Sequence, residues 1–100
     1  MEADLPVRPG LTIPGWELWT TTSRGGGPGG QHVNKTSSVV TIHWVPASSS
    51  ALTPAMKARI AQKLSHRLTV AGELQARATQ SRQQIANREE ARERLAAMVR

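Results

Sequence analysis

Two segments of the chain alternate between apolar and polar residues, which is the period of a half-buried β-strand. They are Trp16–Thr22 and Ser38–Val45, and both are rich in aromatic and β-branched residues. One face of the first segment carries Trp16, Leu18, Thr20 and Thr22, and one face of the second carries Val40, Ile42 and Trp44. We expect the two strands to pair antiparallel, which makes the residues between them an unusually long hairpin connection.

A helical period of apolar residues follows the second strand. Thr53-Pro54 predicts the start of this helix, because threonine is a favoured N-cap and proline fits the first helical position. The apolar stripe consists of Met56, Ile60, Leu64 and Leu68. Gly72 is predicted to end the helix, and the stripe is predicted to pack against the strands.

A second helix is predicted at the end of the chain. Ser81-x-x-Gln84 matches a capping box, in which the two side chains satisfy free backbone N–H groups. The thin apolar face of this helix consists of Ile85, Leu95, Met98 and Val99. The charged residues that we expect on its solvated face are Arg88, Glu89, Glu90, Arg92, Glu93 and Arg94.

Two segments are harder to assign from the local pattern. Residues Glu73–Thr79 alternate, with Leu74, Ala76 and Ala78 on the apolar side, but their composition of Ala, Leu, Gln and Arg favours a helix. Residues 1–15 contain three prolines and two glycines, which predicts an extended N-terminal arm with little regular structure. Residues 16–100 then fit a single domain.

The charge is basic and unevenly distributed. The net charge is +6, and residues 23–66 contain five lysines or arginines with no aspartate or glutamate. Such a surface attracts polyanions and indicates a nucleic-acid partner, with a solvated basic surface as the alternative. The absence of cysteine excludes disulfides and thiolate zinc sites. Because the chain has no long apolar run and no signal peptide or presequence, we expect a cytoplasmic protein without a membrane partner.

The connection between the two predicted strands is the most distinctive segment. Residues 24–36 read Arg24-Gly25-Gly26-Gly27-Pro28-Gly29-Gly30-Gln31-His32-Val33-Asn34-Lys35-Thr36. The five glycines disfavour a helix or strand, but they allow positive φ and let backbone N–H groups approach a ligand. The proline stiffens the segment. We therefore predict a functional loop, and the alternative is a flexible linker.

Two known glycine motifs fit this loop poorly. Gly25-x-Gly27-x-x-Gly30 formally matches the dinucleotide fingerprint, but that motif needs a following helix and an acidic residue about 20 positions later. A predicted strand follows here, and serines 48–50 occupy the later region. Gly29-x-x-x-x-Asn34-Lys35-Thr36 approaches a phosphate-binding loop, but it lacks the second glycine and the helix.

The loop resembles the signature of peptide-release factors, which hydrolyse the ester that joins a nascent peptide to tRNA on the ribosome. The resemblance is carried by Gly29-Gly30-Gln31 followed by His32-Val33-Asn34-Lys35-Thr36. The flanking segments are similar to those of the small codon-independent members, the alternative ribosome-rescue factor B (YaeJ) family. These segments are Ile13-Pro14, Glu17-Leu18 and Arg82-Gln83-Gln84-Ile85-Ala86-Asn87-Arg88, with Gln83 in place of a serine.

This resemblance implies an α+β fold with the element order β-β-α-β-α. A small mixed or antiparallel sheet would carry the helices on one face, and the long glycine-rich loop would join strands 1 and 2. Residues Glu73–Thr79 would form the third strand. The family also carries a basic tail after the last helix, whereas this chain stops at Arg100. Either the sequence is the catalytic domain alone or this member departs from the pattern.

The resemblance also implies which groups act. In that family the loop enters the peptidyl-transferase centre of the large-subunit ribosomal RNA, where the RNA and the P-site peptidyl-tRNA supply much of the chemistry. By resemblance, Gly29, Gly30 and Gln31 are the catalytic residues: the glycines aim the main-chain N–H of Gln31, and the Gln31 side chain helps to select water. The predicted RNA-binding residues are Arg24, His32, Asn34, Lys35 and Thr36.

The remaining ionisable residues do not form a complete catalytic set. Asp4 is the only aspartate and lies in the predicted arm, so a Ser-His-Asp triad is not expected, and paired carboxylates would have to be glutamates. The three histidines lack metal-ligand spacing, so no metal and no cofactor are predicted. The reference pKa of histidine would suit His32 as a general base, although the family does not require a histidine there.

The sequence therefore predicts a monomeric peptidyl-tRNA hydrolase that acts on stalled ribosomes independently of a stop codon. Two alternatives stay open: a non-catalytic ribosome- or RNA-binding module, and a fragment of a codon-dependent release factor. The intact Gly29-Gly30-Gln31 argues against the first, and Met1 with its acidic arm argues against the second.

Overall fold

A computed structural model of the chain describes residues 2–24, 38–81 and 83–100. These residues form two antiparallel sheets and two helices, so the predicted α+β class is confirmed. The elements in chain order are β1 (Leu5–Arg8), β2 (Leu11–Ile13), β3 (Trp19–Arg24), β4 (Ser38–Trp44), α1 (Pro54–Lys63), β5 (Leu74–Ala78) and α2 (Gln84–Val99).

The larger sheet has the strand order β3-β4-β5, and both neighbouring pairs are antiparallel. The predicted antiparallel pairing of the first two long strands is confirmed, with Trp19 opposite His43. The third strand, which the resemblance implied, is also present as β5. Its alternate residues Leu74, Ala76 and Ala78 are buried, so packing on one face overrides the helical preference of the local composition.

The hydrophobic core lies between this sheet and α2. Val40, Ile42 and Trp44 on β4 are fully buried, as the alternation predicted, and α2 packs across β4 and β5. On the helix side Leu95 is fully buried. A side chain of this kind contributes about 1.5–3 kcal/mol when it is removed from water.

The segment before β3 differs from the sequence prediction. Gly15–Glu17 forms a 3-10 turn, and the strand begins only at Trp19. The expectation that Trp16 shares a strand face with Leu18 is therefore wrong: Trp16 is 65% exposed, whereas Leu18 is buried. Gly15 allows the N-terminal segment to approach this turn closely, because a Cβ at this position would collide with the backbone of Glu2.

The N-terminal arm is more regular than predicted. β1 and β2 pair as an antiparallel hairpin, so the expectation of little regular structure is wrong over residues 5–13. Pro9 and Gly10 form the tight turn between the two strands, and Gly10 has a φ of +86°. The apolar residues Leu5, Val7, Leu11 and Ile13 are buried in the same core cluster as the larger sheet.

The start of α1 is as predicted, but its end is not. The Thr53 hydroxyl accepts a hydrogen bond from the Met56 N–H at 3.2 Å, which makes it the N-cap. The helix ends at Lys63 and not near Gly72. Gly72 instead adopts a φ of +84° in the turn before β5, which the hydrogen bond from Gly72 N to Thr69 O closes. Ile60 and Leu64 reach the core, and Met56 is half-buried.

The start of α2 replaces the predicted capping box with a different contact. Gln83 is the N-cap residue and makes no side-chain capping bond. Instead, Asn87 Oδ1 accepts from Ser81 N at 2.9 Å, and Asn87 Nδ2 donates to Ser81 O at 2.8 Å. The predicted apolar face is also wrong at Ile85, which is 76% exposed. The buried face of the helix consists of Asn87, Ala91, Arg92, Leu95, Ala96 and Val99.

Among the described residues, no helix is long and apolar enough to cross a membrane.

Candidate functional site

The two strands that flank the glycine-rich segment end in a short two-stranded stem. β5 pairs with β4 as far as Val40, whereas β3 and β4 continue to pair through Ser23–Val39 and Arg24–Ser38. Antiparallel partners lie about 5 Å apart. The stem therefore holds the two ends of residues 25–37 side by side, at one end of the sheet.

The predicted catalytic residues belong to this connection. Gly29, Gly30 and Gln31 lie outside the described residues, so their roles stay predictions. The same holds for four of the predicted RNA-binding residues, His32, Asn34, Lys35 and Thr36. The fifth, Arg24, is the last residue of β3, so its backbone lies in the stem.

On the face of the sheet that points away from α2, His43 connects three strands. Its Nε2 lies 2.8 Å from Thr21 Oγ1 on β3, and its Nδ1 lies 2.9 Å from Glu73 Oε1 beside β5. Gln75 Nε2 donates to the same Glu73 oxygen at 3.0 Å. The Trp19 ring stacks on the imidazole, with ring centroids 5.2 Å apart and planes at 4°.

Thr21, His43 and Glu73 thus form a hydroxyl–imidazole–carboxylate line, the arrangement of a nucleophile, a base and an orienting acid. The sequence alone does not reveal this line, because a long connection does not determine the strand register that brings Thr21 near His43. Acyl transfer also needs donors aimed at an oxyanion in a site that excludes water. Thr21 is exposed and Trp19 is 41% exposed, whereas the His43 side chain is 12% exposed beneath the Trp19 ring, so the line is only partly shielded from water. We interpret the contacts of Thr21, His43 and Glu73 as a structural link that holds β3, β4 and the start of β5 together, and we call this link the lock.

The electrostatics of the lock agree with that role. Hydrogen bonds from Gln75 and then His43 lower the pKa of Glu73 below its ordinary value. The carboxylate is therefore ionised at neutral pH, where it accepts from both neighbours. Within residues 2–24, 38–81 and 83–100, no three His, Asp or Glu side chains converge as metal ligands would.

Two residues of the flanking motifs anchor the structure around the sheet. Glu17 accepts hydrogen bonds from Trp44 Nε1 at 3.0 Å and from both N and Oγ of Ser50 at 2.8 Å. Burial alone would raise the pKa of Glu17, but hydrogen bonds from Ser49, Trp44 and Ser50 together lower it. Asn87 ties the start of α2 to the backbone of Ser81. These motif residues therefore hold the body of the domain together.

Asp4, the only aspartate, also has a structural contact. Its Oδ1 accepts from Gly15 N at 2.7 Å, which holds the N-terminal segment against the turn before β3. Among the described residues, Asp4 therefore has a structural contact, and both partners precede the stem in the sequence.

Comparison with known families gives one match. A family model described as the RF-1 domain matches residues 7–100. The matched residues include Gly29-Gly30-Gln31, both strands of the stem and both helices. Comparison of the chain with curated proteins returned no similar sequence.

Proposed function

Because the chain belongs to the RF-1 domain family, we propose that it is a peptidyl-tRNA hydrolase that rescues stalled ribosomes. The RF-1 domain is the hydrolytic domain of release factors, which act on the ribosome. More specifically, this chain acts as a cytoplasmic monomer and releases the nascent peptide without reading a stop codon. The observation that carries it is Gly29-Gly30-Gln31 within the matched residues, on a connection whose two ends the β3–β4 stem holds together.

The proposed chemistry is attack of water on the ester carbonyl of peptidyl-tRNA in the peptidyl-transferase centre. The carbonyl carbon gains a bond to the water oxygen, negative charge develops on the carbonyl oxygen, and the tRNA ribose oxygen leaves with a proton. The main-chain N–H of Gln31 supports this step as a fixed, uncharged donor. Gly29 and Gly30 supply the backbone freedom that aims the N–H. The Gln31 side chain narrows the site in favour of water.

The stem suits this role because it presents the loop at the end of the sheet. Thirteen residues that leave and return to paired strands can reach at most about 20 Å from the stem. A loop of that reach can enter a cavity that the folded body cannot. Arg24 and Lys35, with His32, Asn34 and Thr36, are the proposed contacts to ribose and phosphate.

Codon independence is supported by the resemblance of the flanking segments to those of the small rescue factors, with Gln83 in place of a serine. Glu17 and Asn87 belong to these segments, and both make buried or half-buried hydrogen bonds that shape the domain. The alternatives predict different activities: a binding module would bind ribosomes without release, and a codon-dependent fragment would not favour a stalled complex over one with a stop codon.

The first experiment separates the main-chain N–H of Gln31 from its side chain. Gln31→Pro deletes the N–H, whereas Gln31→Ala keeps it. Loss of one such donor lowers a rate by about 100- to 1000-fold. We expect that loss in the proline variant and measurable release in the alanine variant, measured as single-turnover peptide release from ribosomes stalled on truncated message.

Circular dichroism and ribosome binding serve as controls, because both variants should match the unmodified chain in each. Equal loss of release in the two variants would contradict the assignment to the main chain. The same assay on ribosomes with a stop codon, a sense codon or no codon in the A site tests the rescue role. Release that is fastest with the empty A site supports it, and release that requires the stop codon overturns it.

A further inference from the structure

A basic cleft lies between α1, the β1–β2 hairpin and the end of α2. Its volume is about 210 Å³. Leu11, Met56 and Ile60 line its apolar floor, and its basic rim consists of Arg8, Arg59 and Lys63. We call this site the basic cleft.

Four of the five α1 residues that line the cleft are placed together by helical geometry. Met56, Arg59, Ile60 and Lys63 are spaced i, i+3, i+4 and i+7, so they share one face of the helix. Ile60 points into the core, and the two basic residues flank it as exposed side chains. Arg8 comes from the opposite wall, where it precedes the Pro9-Gly10 turn of the hairpin.

The rim carries three positive charges, and no acidic residue lines the cleft. Among the ion pairs of the described residues, none involves Arg8, Arg59 or Lys63. Lys63 Nζ donates at 3.1 Å to Arg100 O, an oxygen of the last residue of the given chain, which uses one of its three donors and offsets part of its charge. The two guanidinium groups of the rim have no such contact with an acidic group among the described residues.

The arrangement is unfavourable for the folded chain on its own. Arg59 and Lys63 are like charges at i and i+4 on a helix, a spacing at which repulsion destabilises the helix. An anion bound between Arg59 and Lys63 would screen their repulsion and would be attracted by both side chains. Guanidinium groups match phosphate oxygens in paired hydrogen bonds, and a lysine adds a point charge.

We propose that the basic cleft binds a short segment of ribosomal RNA, with phosphates against Arg8, Arg59 and Lys63 and a ribose or base against the apolar floor. Charge complementarity selects a polyanion, and the choice of RNA rests on the proposed function on the ribosome. The cleft is built by α1 and the hairpin, not by the β3–β4 stem, so this contact is separate from the loop. It positions the domain and touches no reacting atom.

Matched pairs of neutralised residues test the proposal. Arg59→Gln/Lys63→Gln removes two rim charges, and Arg67→Gln/Arg77→Gln removes two exposed charges that do not line the cleft. Binding of each protein to isolated large ribosomal subunits is measured across a salt series. We expect at least tenfold weaker binding at 100 mM salt for the cleft variant and a logarithmic salt slope reduced by about 1.4–1.8. The control variant should change binding by less than about twofold.

Equal loss in the two variants, or no loss in the cleft variant, overturns the proposal. Single-turnover release at saturating protein keeps this result distinct from the proposed function. If the cleft variant releases peptide at the unmodified rate once bound, the cleft acts in binding alone. If the unmodified chain binds but never releases, the proposed function fails, and the binding comparison still decides the cleft.

A local probe identifies the occupant. Met56 lines the cleft floor, whereas Met98 packs half-buried against the core and does not line the cleft. With methyl-labelled methionine, addition of a short oligouridylate should shift the Met56 methyl NMR signal and leave that of Met98 in place. Oligoglutamate of the same charge is the competing polyanion. A Met56 shift with oligoglutamate but not with RNA, or with neither, overturns the assignment to RNA.

Discussion

Arg92 on α2 and Arg59 on α1 have opposite environments. On α2, Arg92 is only 8% exposed, donates to Ala3 O at 2.9 Å and Asp4 O at 2.7 Å, and pairs with Glu2 at 3.5 Å. On α1, Arg59 is exposed and has no ion pair among the described residues. A charge that serves the fold is surrounded by its partners. Arg59, which has no ion pair among the described residues, is left available for the proposed RNA contact.

The N-terminal segment explains how Arg92 became internal. Glu2 also accepts a hydrogen bond from Thr20 Oγ1 at 3.1 Å, and Asp4 accepts from Gly15 N. The segment thus bridges α2 to the beginning of β3. The guanidinium occupies the junction because its several donors can satisfy two carbonyls and a carboxylate together.

The largest expected effect comes from removing this internal charge. Arg92→Met keeps much of the apolar part of the side chain but removes the donor to two carbonyls and to Glu2 Oε1, while Glu2 Oε2 keeps its hydrogen bond from Thr20. Because each unsatisfied buried group costs about 1–3 kcal/mol, we expect the free energy of unfolding to fall by about 3 kcal/mol. Urea unfolding followed by tryptophan fluorescence measures the change.

Arg94→Met is the matched control on the same helix. Arg94 is exposed and pairs with Glu90, four residues earlier, so its loss should cost less than about 0.5 kcal/mol. If both variants lost the same stability, the distinction between an internal and an external arginine would not hold.

A smaller effect is expected from acid. The pKa of Glu17 is below its ordinary value of 4.5 in the folded chain, so the folded state binds a proton less readily than the unfolded state. The stability from its hydrogen bonds is fully present above pH 4.5 and is lost as the pH falls through the lower folded value. Glu17→Gln should cost about 1 kcal/mol at pH 7 and flatten the loss below pH 4.5.

Glu73 titrates in the same direction, so Glu17→Gln removes only part of the acid sensitivity. The double variant with Glu73→Gln should be flatter than either single variant in urea unfolding from pH 7 to pH 3. An unchanged pH profile in the double variant would mean that other carboxylates account for the acid sensitivity. In that case the hydrogen bonds of Glu17 and Glu73 would contribute little to stability, in contrast to those of Arg92.

The sequence predicted the parts of this fold that depend on local pattern. Alternation identified Val40, Ile42 and Trp44 as one buried face, and the Thr53-Pro54 pair located the start of α1. It could not predict contacts that depend on distant segments. The predicted capping box failed for a local reason, because the Asn87 side chain binds the backbone of Ser81, six residues earlier.

The same limit applies to the candidate sites. The glycine-rich motif is contiguous, so the sequence alone indicated it, and the family match includes it. The basic cleft joins residues from β1 and α1, which are about 50 positions apart in sequence. The sequence showed that Arg59 and Lys63 belong to a basic stretch, residues 23–66, but only the fold brings Arg8 close to these two residues. Arg92 was likewise assigned to a solvated face, because nothing local reveals that the N-terminal segment packs over it.

The smallest expected effect is a gain in stability on α1. Arg59→Glu removes the repulsion with Lys63 and places an acid four residues before a lysine, the favourable order on a helix. We expect a stabilisation of about 0.5 kcal/mol, with about half of it in Arg59→Gln, and less at high salt. In a Lys63→Gln background the difference between the glutamate and glutamine variants should shrink to the attraction that Arg8 exerts across the cleft. If Arg59→Glu instead destabilised the chain, Arg59 would be a structural contact like Arg92. A charge whose removal strengthens the fold while weakening ribosome binding is retained for its ligand.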